Sequence, residues 1–283
     1  MNILVTGANG QLGNELRQLA PLHTAHTFHF TDVAELDITD RAAVRQAVKA
    51  AKIDVLINCA AYTAVDNAEK QPELCHTLNA DAPQLLAEAM HDVGGWMVHV
   101  STDYVFDGTA HVPYREDAPI NPIGVYGRTK YAGEEAVRKA CPQHVIVRTA
   151  WLYSTFGNNF VKTMIRLGRE RDTLGVIFDQ IGTPTYARDL AVALLTIVEQ
   201  GPVAGTYHFS NEGVTSWYDF TREIHRQAGI TSCKVLPLHT SEYPTPAARP
   251  HYSVLDKTKI KQTFGLEIPW WADSLAECVA RLS

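Results

Sequence analysis

Tyr126 and Lys130 stand four residues apart in the run Val125-Tyr126-Gly127-Arg128-Thr129-Lys130. On a helix, residues at that spacing share a face, so a phenol and an ammonium can project into one site. A free tyrosine titrates near about 10, too high for efficient proton exchange at neutrality. A lysine cation roughly 4 Å away, at an effective dielectric near 20, would stabilise the phenolate by about 4 kcal/mol. That is up to about three pKa units before desolvation opposes it. The pair alone is common on protein surfaces, so its neighbours decide its meaning. Ser101-Thr102-Asp103-Tyr104 follows the apolar run Met97-Val98-His99-Val100. A Thr102 hydroxyl at the carboxyl end of a strand could hydrogen-bond a substrate oxygen beside Tyr126.

A second constellation lies at the N-terminus. Gly7-Ala8-Asn9-Gly10-Gln11-Leu12-Gly13 separates a strand-like run from an amphipathic one. Such glycines permit a tight turn and bring backbone close to a pyrophosphate, whose charge the following helix N-terminus favours. Asp32 comes 19 residues after Gly13, where an acid can accept hydrogen bonds from an adenosine ribose. Asp37 and Ile38 could flank the adenine. Ala60, Ala61 and Tyr62 follow a further strand, with small residues that admit a cofactor to the sheet edge. No arginine falls within the glycine turn or directly after Asp32, which leans towards NADH without excluding NADPH.

The elements that must position these residues are legible from hydrophobic periodicity. Ile3-Leu4-Val5, His26 to Phe30, Asp54 to Asn58, Met97 to Val100 and Val145 to Val147 read as strands. Helical patterns between them run through Leu12, Leu16 and Leu19; through Val44 and Val48 behind a Thr39-Asp40 cap; over about 72–93; and over about 125–139. This alternation predicts an α/β fold, a Rossmann-type doubly wound parallel sheet. Beyond Trp151 the rhythm loosens. Helices are expected over about 159–169, 188–198 and 270–282, with another behind the Ser216-Trp217-Tyr218-Asp219 capping box. An extended run is expected at 174–178, and the proline-rich segment 237–250 is expected to be mostly loop. Two lobes follow: a dinucleotide-binding domain over 1–150 plus roughly 175–210, and a smaller α+β substrate lobe over roughly 151–174 plus 211–283.

Composition bounds the partners. The chain has 283 residues and a formal charge of −6, without long runs of either sign, so no nucleic-acid partner is expected. Its longest apolar run, around Leu190 to Val198, is far short of a membrane span. Five scattered cysteines (Cys59, Cys75, Cys141, Cys233, Cys278) include no C-x-x-C pair, which points to reduced thiols in the cytoplasm.

Together the motifs resemble the extended short-chain dehydrogenase/reductases that act on nucleotide sugars. Within them, G-x-x-G-Q-L-G, A-A-Y-T-A-V-D, S-T-D-Y-V-F-D-G, V-Y-G-R-T-K, R-T-A-W-L-Y, G-N-N-F, Q-I-G-T-P-T and A-R-P-x-x-S-x-L-D are similar to the dTDP-4-dehydrorhamnose reductases. The resemblance spans nearly the whole chain. It implies reduction of the 4-keto group of dTDP-4-dehydro-6-deoxy-L-mannose by NADPH or NADH, giving dTDP-L-rhamnose for surface polysaccharide such as lipopolysaccharide. On that reading Tyr126 protonates the developing alkoxide, Lys130 lowers its pKa and holds the nicotinamide ribose, and Thr102 polarises the carbonyl. The resemblance also implies that Asp103 and Trp151 line the sugar site. Arg249 is the candidate for the nucleotide pyrophosphate, because its fork suits phosphate oxygens. Some members of the family bridge a dimer with a metal held by acids. Glu15 could join such a contact, but Arg188 stands where a further acid is expected, so no metal is expected here; a homodimer remains compatible.

Two rivals stand beside this reading. Related 4,6-dehydratases carry an acid directly after Thr-Asp, where this chain has Tyr104; that disfavours dehydration, and epimerases resemble the chain less well between Trp151 and Arg249. A reductase-like regulatory subunit, as in the methionine adenosyltransferase β-subunit, would not need the intact Tyr126, Lys130 and Thr102.

Overall fold

The structure, a computed structural model, describes residues 1–282. Five strands, β1 (Asn2–Thr6), β2 (Thr27–Thr31), β3 (Val55–Asn58), β4 (Trp96–Thr102) and β5 (His144–Thr149), are joined by a sixth, Gly205–His208, in one sheet. The spatial order is Gly205–His208, β5, β4, β3, β1, β2, and every pairing is parallel. Parallel strands need crossovers, and helices on both faces supply them. Val5, Ile57, Val98 and Val147 pack on one face with Leu12, Leu16, Leu190 and Leu194. Leu4, Leu56, Met97 and Ile146 pack on the other with Val44, Leu86 and Val137. Burial on both faces explains why these strands are apolar runs rather than alternating ones.

The chain leaves β1 towards β2 and returns on the other side to β3, so the winding reverses there and opens a crevice at the strands' carboxyl ends. Register aligns those ends: Thr6 lies opposite both Thr31 and Asn58, Asn58 opposite His99, and Thr102 opposite Thr149.

The expected helices form, with one interruption. The segment predicted as a single helix over 72–93 is Pro72–His76, a π-helical turn Thr77–Asp81, and Ala82–Asp92. The π turn presents Asn79, whose amide accepts from Tyr62 N (2.8 Å) and donates to Tyr62 O (3.1 Å). That backbone clamp fixes the loop after β3. A Cβ on Gly133 would lie 2.0 Å from Asn79 O, so the helix Val125–Ala140 crosses this turn in near backbone contact.

The second lobe has its own core, centred on Tyr153, Val161, Leu174, Val176, Tyr186, Phe220, Ile224 and Leu275. Two boundaries differ from the expected ranges. Leu174 and Val176 pack into this core, so the segment after 175 stays with the substrate lobe before Ala187–Gln200 returns to the sheet. Ile260 and Phe264, assigned to that lobe by sequence, pack instead against the sheet core. The loop expected over 237–250 begins inside a strand, Lys234–Leu238, whose Pro237 lies opposite Val176 of Thr173–Ile177. Proline is tolerated there because the pair is a two-stranded sheet with open edges.

Candidate active site

A cleft of about 780 Å³ opens at the carboxyl ends of β1, β3 and β4. Gly7, Gly10, Gln11, Leu12 and Gly13 line one end, and Thr102, Asp103, Tyr104, Tyr126, Lys130 and Trp151 the other. The two sequence constellations therefore share one cavity. Gly7 sits at φ +66°, and a Cβ there would meet Ala60 N at 2.6 Å. A Cβ on Gly13 would lie 2.5 Å from Ala8 Cα, whereas one on Gly10 would touch only Gly7 O at 3.2 Å. Two glycines thus allow close packing of the turn, and the third leaves the helix N-terminus open to a ligand.

Asp32 also lines the cleft, but its carboxylate is engaged in the turn itself. Oδ2 accepts from Asn9 N and Oδ1 from Val33 N, each at 2.9 Å. Asp37, Ile38, Ala60 and Ala61 lie on the cleft wall, the Asp37 carboxyl held below its usual value by the Thr39 hydroxyl and backbone. Tyr62 does not. It is clamped by Asn79, and its hydroxyl donates to Gln71 Oε1 (3.0 Å).

At the other end, Lys130 is 2% exposed and its Nζ donates to Val100 O at 2.7 Å. Burial pushes its ammonium down to about 8, opposed chiefly by Glu134. Burial holds the Tyr126 phenol above its ordinary value, a hydrogen bond with Thr102 pulls the other way, and Asp103 and Tyr104 add to the rise. The expectation of a phenol depressed by Lys130 is thereby corrected. The ammonium is turned to a strand carbonyl, and desolvation outweighs every favourable neighbour. Thr102 does stand beside Tyr126 as expected; its hydroxyl donates to Asp103 Oδ1 (2.9 Å) and accepts from Tyr104 N (3.2 Å). The Tyr104 ring meets Tyr126 edge to face, with centroids 5.4 Å apart.

Asp103 is 2% exposed, and its Oδ2 is buried with no partner at hydrogen-bond geometry. Burial pushes its carboxyl up to about 6 despite the Thr102 and Ser253 hydroxyls. A folded-state value above the unfolded one makes ionisation oppose folding: the penalty is absent below about pH 4, grows as pH rises, and is full above about 6. It amounts to at most about 3 kcal/mol. Asp103→Asn is therefore expected to gain in melting temperature over the unmodified protein at about pH 8 relative to about pH 4. A difference independent of pH would show that the carboxylate is not the cause.

Trp151 stacks on Trp217 with centroids 3.5 Å apart and adopts φ +49°, a left-handed conformation costly for a bulky residue. That strain sits on the cleft wall. Arg249 is not brought to the wall. Its Nη2 donates to Asp66 Oδ2 (2.9 Å), and it lies against Tyr104. The same carboxylate accepts from Ala247 N (3.2 Å), so Asp66 ties the loop 245–250 to the helix Val65–Ala68.

Several residues of the site were not found from sequence. Glu134, wholly buried, accepts from Ser101 Oγ (2.6 Å), Arg148 Nε (2.8 Å), Arg148 Nη2 (2.7 Å) and Arg138 Nη2 (2.8 Å) behind Lys130. Its spacing of four from Lys130 was the available signal. Asn159 caps its helix and donates to Gln11 Oε1 (3.0 Å), bringing the 157–159 loop onto the glycine turn. Glu15, named from sequence as an acid that could join a dimer contact, lies outside the cleft lining; wholly buried, it takes a hydrogen bond from Ser154 Oγ (2.6 Å) and faces Arg188 (3.8 Å) and Arg281 (3.5 Å).

A family model described as "RmlD substrate binding domain" matches residues 1–283. The dTDP-4-dehydrorhamnose reductase of Escherichia coli (strain K12) is 44% identical over 283 residues, covering 96% of this chain and 94% of its own. Among solved structures, a dTDP-4-dehydrorhamnose reductase from Clostridium acetobutylicum superposes with a TM-score of 0.96 at 47% identity, covering 100% of this chain and 99% of its own. Another from Bacillus anthracis, in complex with NADP, gives 0.95 at 41% identity, covering 99% of each chain.

Proposed function

Since the chain belongs to the RmlD substrate binding domain family, we propose that it is a dTDP-4-dehydrorhamnose reductase, using NADPH or NADH to convert the 4-keto sugar nucleotide to dTDP-L-rhamnose. The observation that carries this reading is that Thr102, Tyr126 and Lys130 line one cleft whose far end is the glycine turn. The residues fit a dinucleotide. Gly10 leaves the start of the helix Gln11–Leu19 open for a pyrophosphate, and the small Ala60 and Ala61 border the same space. When bound, the nicotinamide supplies a hydride to the substrate's carbonyl carbon.

The chain's own residues supply the rest. Tyr126, kept protonated by its burial, gives its proton to the carbonyl oxygen as negative charge develops there. The Thr102 hydroxyl, on exchanging its bond to Asp103 Oδ1, would hydrogen-bond the same oxygen. Lys130, anchored through Val100 O on the cleft wall, would hold the cofactor's ribose. Asp103 and Trp151 border the space left for the sugar. Arg249 would reach the nucleotide's phosphates only by exchanging its bond to Asp66.

Tyr104 supports reduction over dehydration. Burial holds its hydroxyl up at about 12, so it cannot take the place of a carboxylate in eliminating water. Five free thiols support a reducing, cytoplasmic setting. No helix among the described residues is long and apolar enough to cross a membrane. The test is purified protein mixed with the dTDP-4-keto sugar and NADPH or NADH, followed by nicotinamide absorbance. Oxidation dependent on the keto sugar is expected. Its absence with both cofactors would overturn the assignment, and UDP- and GDP-linked sugars should react more slowly.

A further inference from the structure

We propose that Arg17 selects between the two nicotinamide cofactors: its guanidinium takes the ribose phosphate that distinguishes NADPH from NADH. The inference rests on the reductase reading and concerns a side chain just beyond the Asp32 end of the cleft lining. Sequence placed no arginine in the glycine turn or just after Asp32, and the fold brings one there from the following helix. Arg17 lies in the last turn of Gln11–Leu19, with its guanidinium 5.1 Å above the Phe30 ring of β2. Stacking on an aromatic face orients the fork and leaves its edge N–H groups free for an anion. Nη2 lies 3.4 Å from Asn9 Oδ1 and Nη1 3.5 Å from Asn14 Oδ1, both long contacts that a phosphate oxygen could replace. Asn9 N in turn donates to Asp32 Oδ2 at 2.9 Å. The cation therefore stands one residue across from the acid that marks the adenosine ribose.

Asp32 does not dominate that corner. Each of its oxygens already accepts a backbone N–H, from Asn9 and Val33, so its charge is partly spent on holding the turn. The opposing charges are Asp32 itself, Glu35, which accepts from Asp32 N (2.9 Å), and the exposed Asp37. One oriented arginine against these carboxylates predicts a chain that accepts both cofactors, with Arg17 deciding the margin for NADPH.

The test is direct binding of NADPH and NADH, by calorimetry or fluorescence, to the unmodified protein, Arg17→Met and Arg17→Lys. Methionine keeps an apolar stem over Phe30 while removing the charge, and lysine keeps the charge without the fork. Arg17→Met is expected to weaken NADPH binding about tenfold, equivalent to about 1.4 kcal/mol, while changing NADH binding less than about twofold. Arg17→Lys should fall between, and the NADPH difference should shrink as salt is raised. Equal weakening of both cofactors, or no change in either, would overturn the role of Arg17 and leave the reductase reading intact. Failure of the unmodified protein to bind either cofactor would remove both.

Discussion

Tyr126→Phe is expected to lower turnover by about 10²–10⁴-fold while leaving the binding of cofactor and sugar nucleotide nearly unchanged. On the proposed mechanism the hydroxyl gives the proton, and its value to the reaction arises only as charge develops on the carbonyl oxygen. A loss confined to that stage lowers kcat with little effect on KM. Phenylalanine keeps the ring, so the edge-to-face contact with Tyr104 and the first turn of Val125–Ala140 persist. Burial also keeps the phenol protonated across the neutral range, so the hydroxyl carries its proton when substrate arrives. Steady-state kinetics with equilibrium binding of each ligand would check both halves. Unchanged turnover would show that the proton comes from elsewhere.

The second large effect is on stability. Glu134→Gln is expected to cost about 3–5 kcal/mol, because it leaves the Arg148 guanidinium buried without its counter-charge. Arg148 is 1% exposed, and its two strongest hydrogen bonds end on Glu134. A domain stabilised by about 5–15 kcal/mol would lose a large fraction of its margin. Replacing both partners, Glu134→Leu with Arg148→Met, should cost less than the single change, since the most buried cation leaves with its partner and the partly exposed Arg138 keeps Glu135. Urea unfolding of the three proteins would decide it, and a single variant as stable as the unmodified protein would contradict the account. The same substitution has a second readout. Glu134 is the group that most opposes the loss of charge on Lys130. If the lysine must be cationic, activity falls as pH rises through about 8, and that limb should move to lower pH in Glu134→Gln. A purely structural role would lower stability without moving the limb.

Much of the site was legible because its signals are local. The glycine turn, the Tyr126–Lys130 spacing and the hydroxyl at the end of β4 depend on neighbours within a few residues. Strand and helix periods reveal which end of each element they occupy. The topological rule for parallel sheets then places both constellations at the carboxyl edge, where one cleft holds them. The residues that escaped are those defined by partners far along the chain. Arg249 looked like a phosphate ligand until the fold set it against Asp66, 183 residues away. Tyr62 looked like a cofactor contact until the π turn at Asn79 clamped it, and no periodicity forecasts an extra residue in a helical turn.

The sequence by itself determined the doubly wound sheet, its glycine turn, and the Thr102, Tyr126 and Lys130 group that shares the cleft with it, because alternating hydrophobic periods and short-range spacing survive without knowledge of packing. Only the tertiary structure decided the burial and the long-range partners of the charged and phenolic groups. It buried Tyr126 enough to raise rather than lower its pKa, turned Lys130 to Val100 and Arg249 to Asp66, and carried Arg17 to the corner of Asp32. Desolvation and long-range ion pairing depend on what surrounds a group in three dimensions, and residue spacing along the chain does not record that.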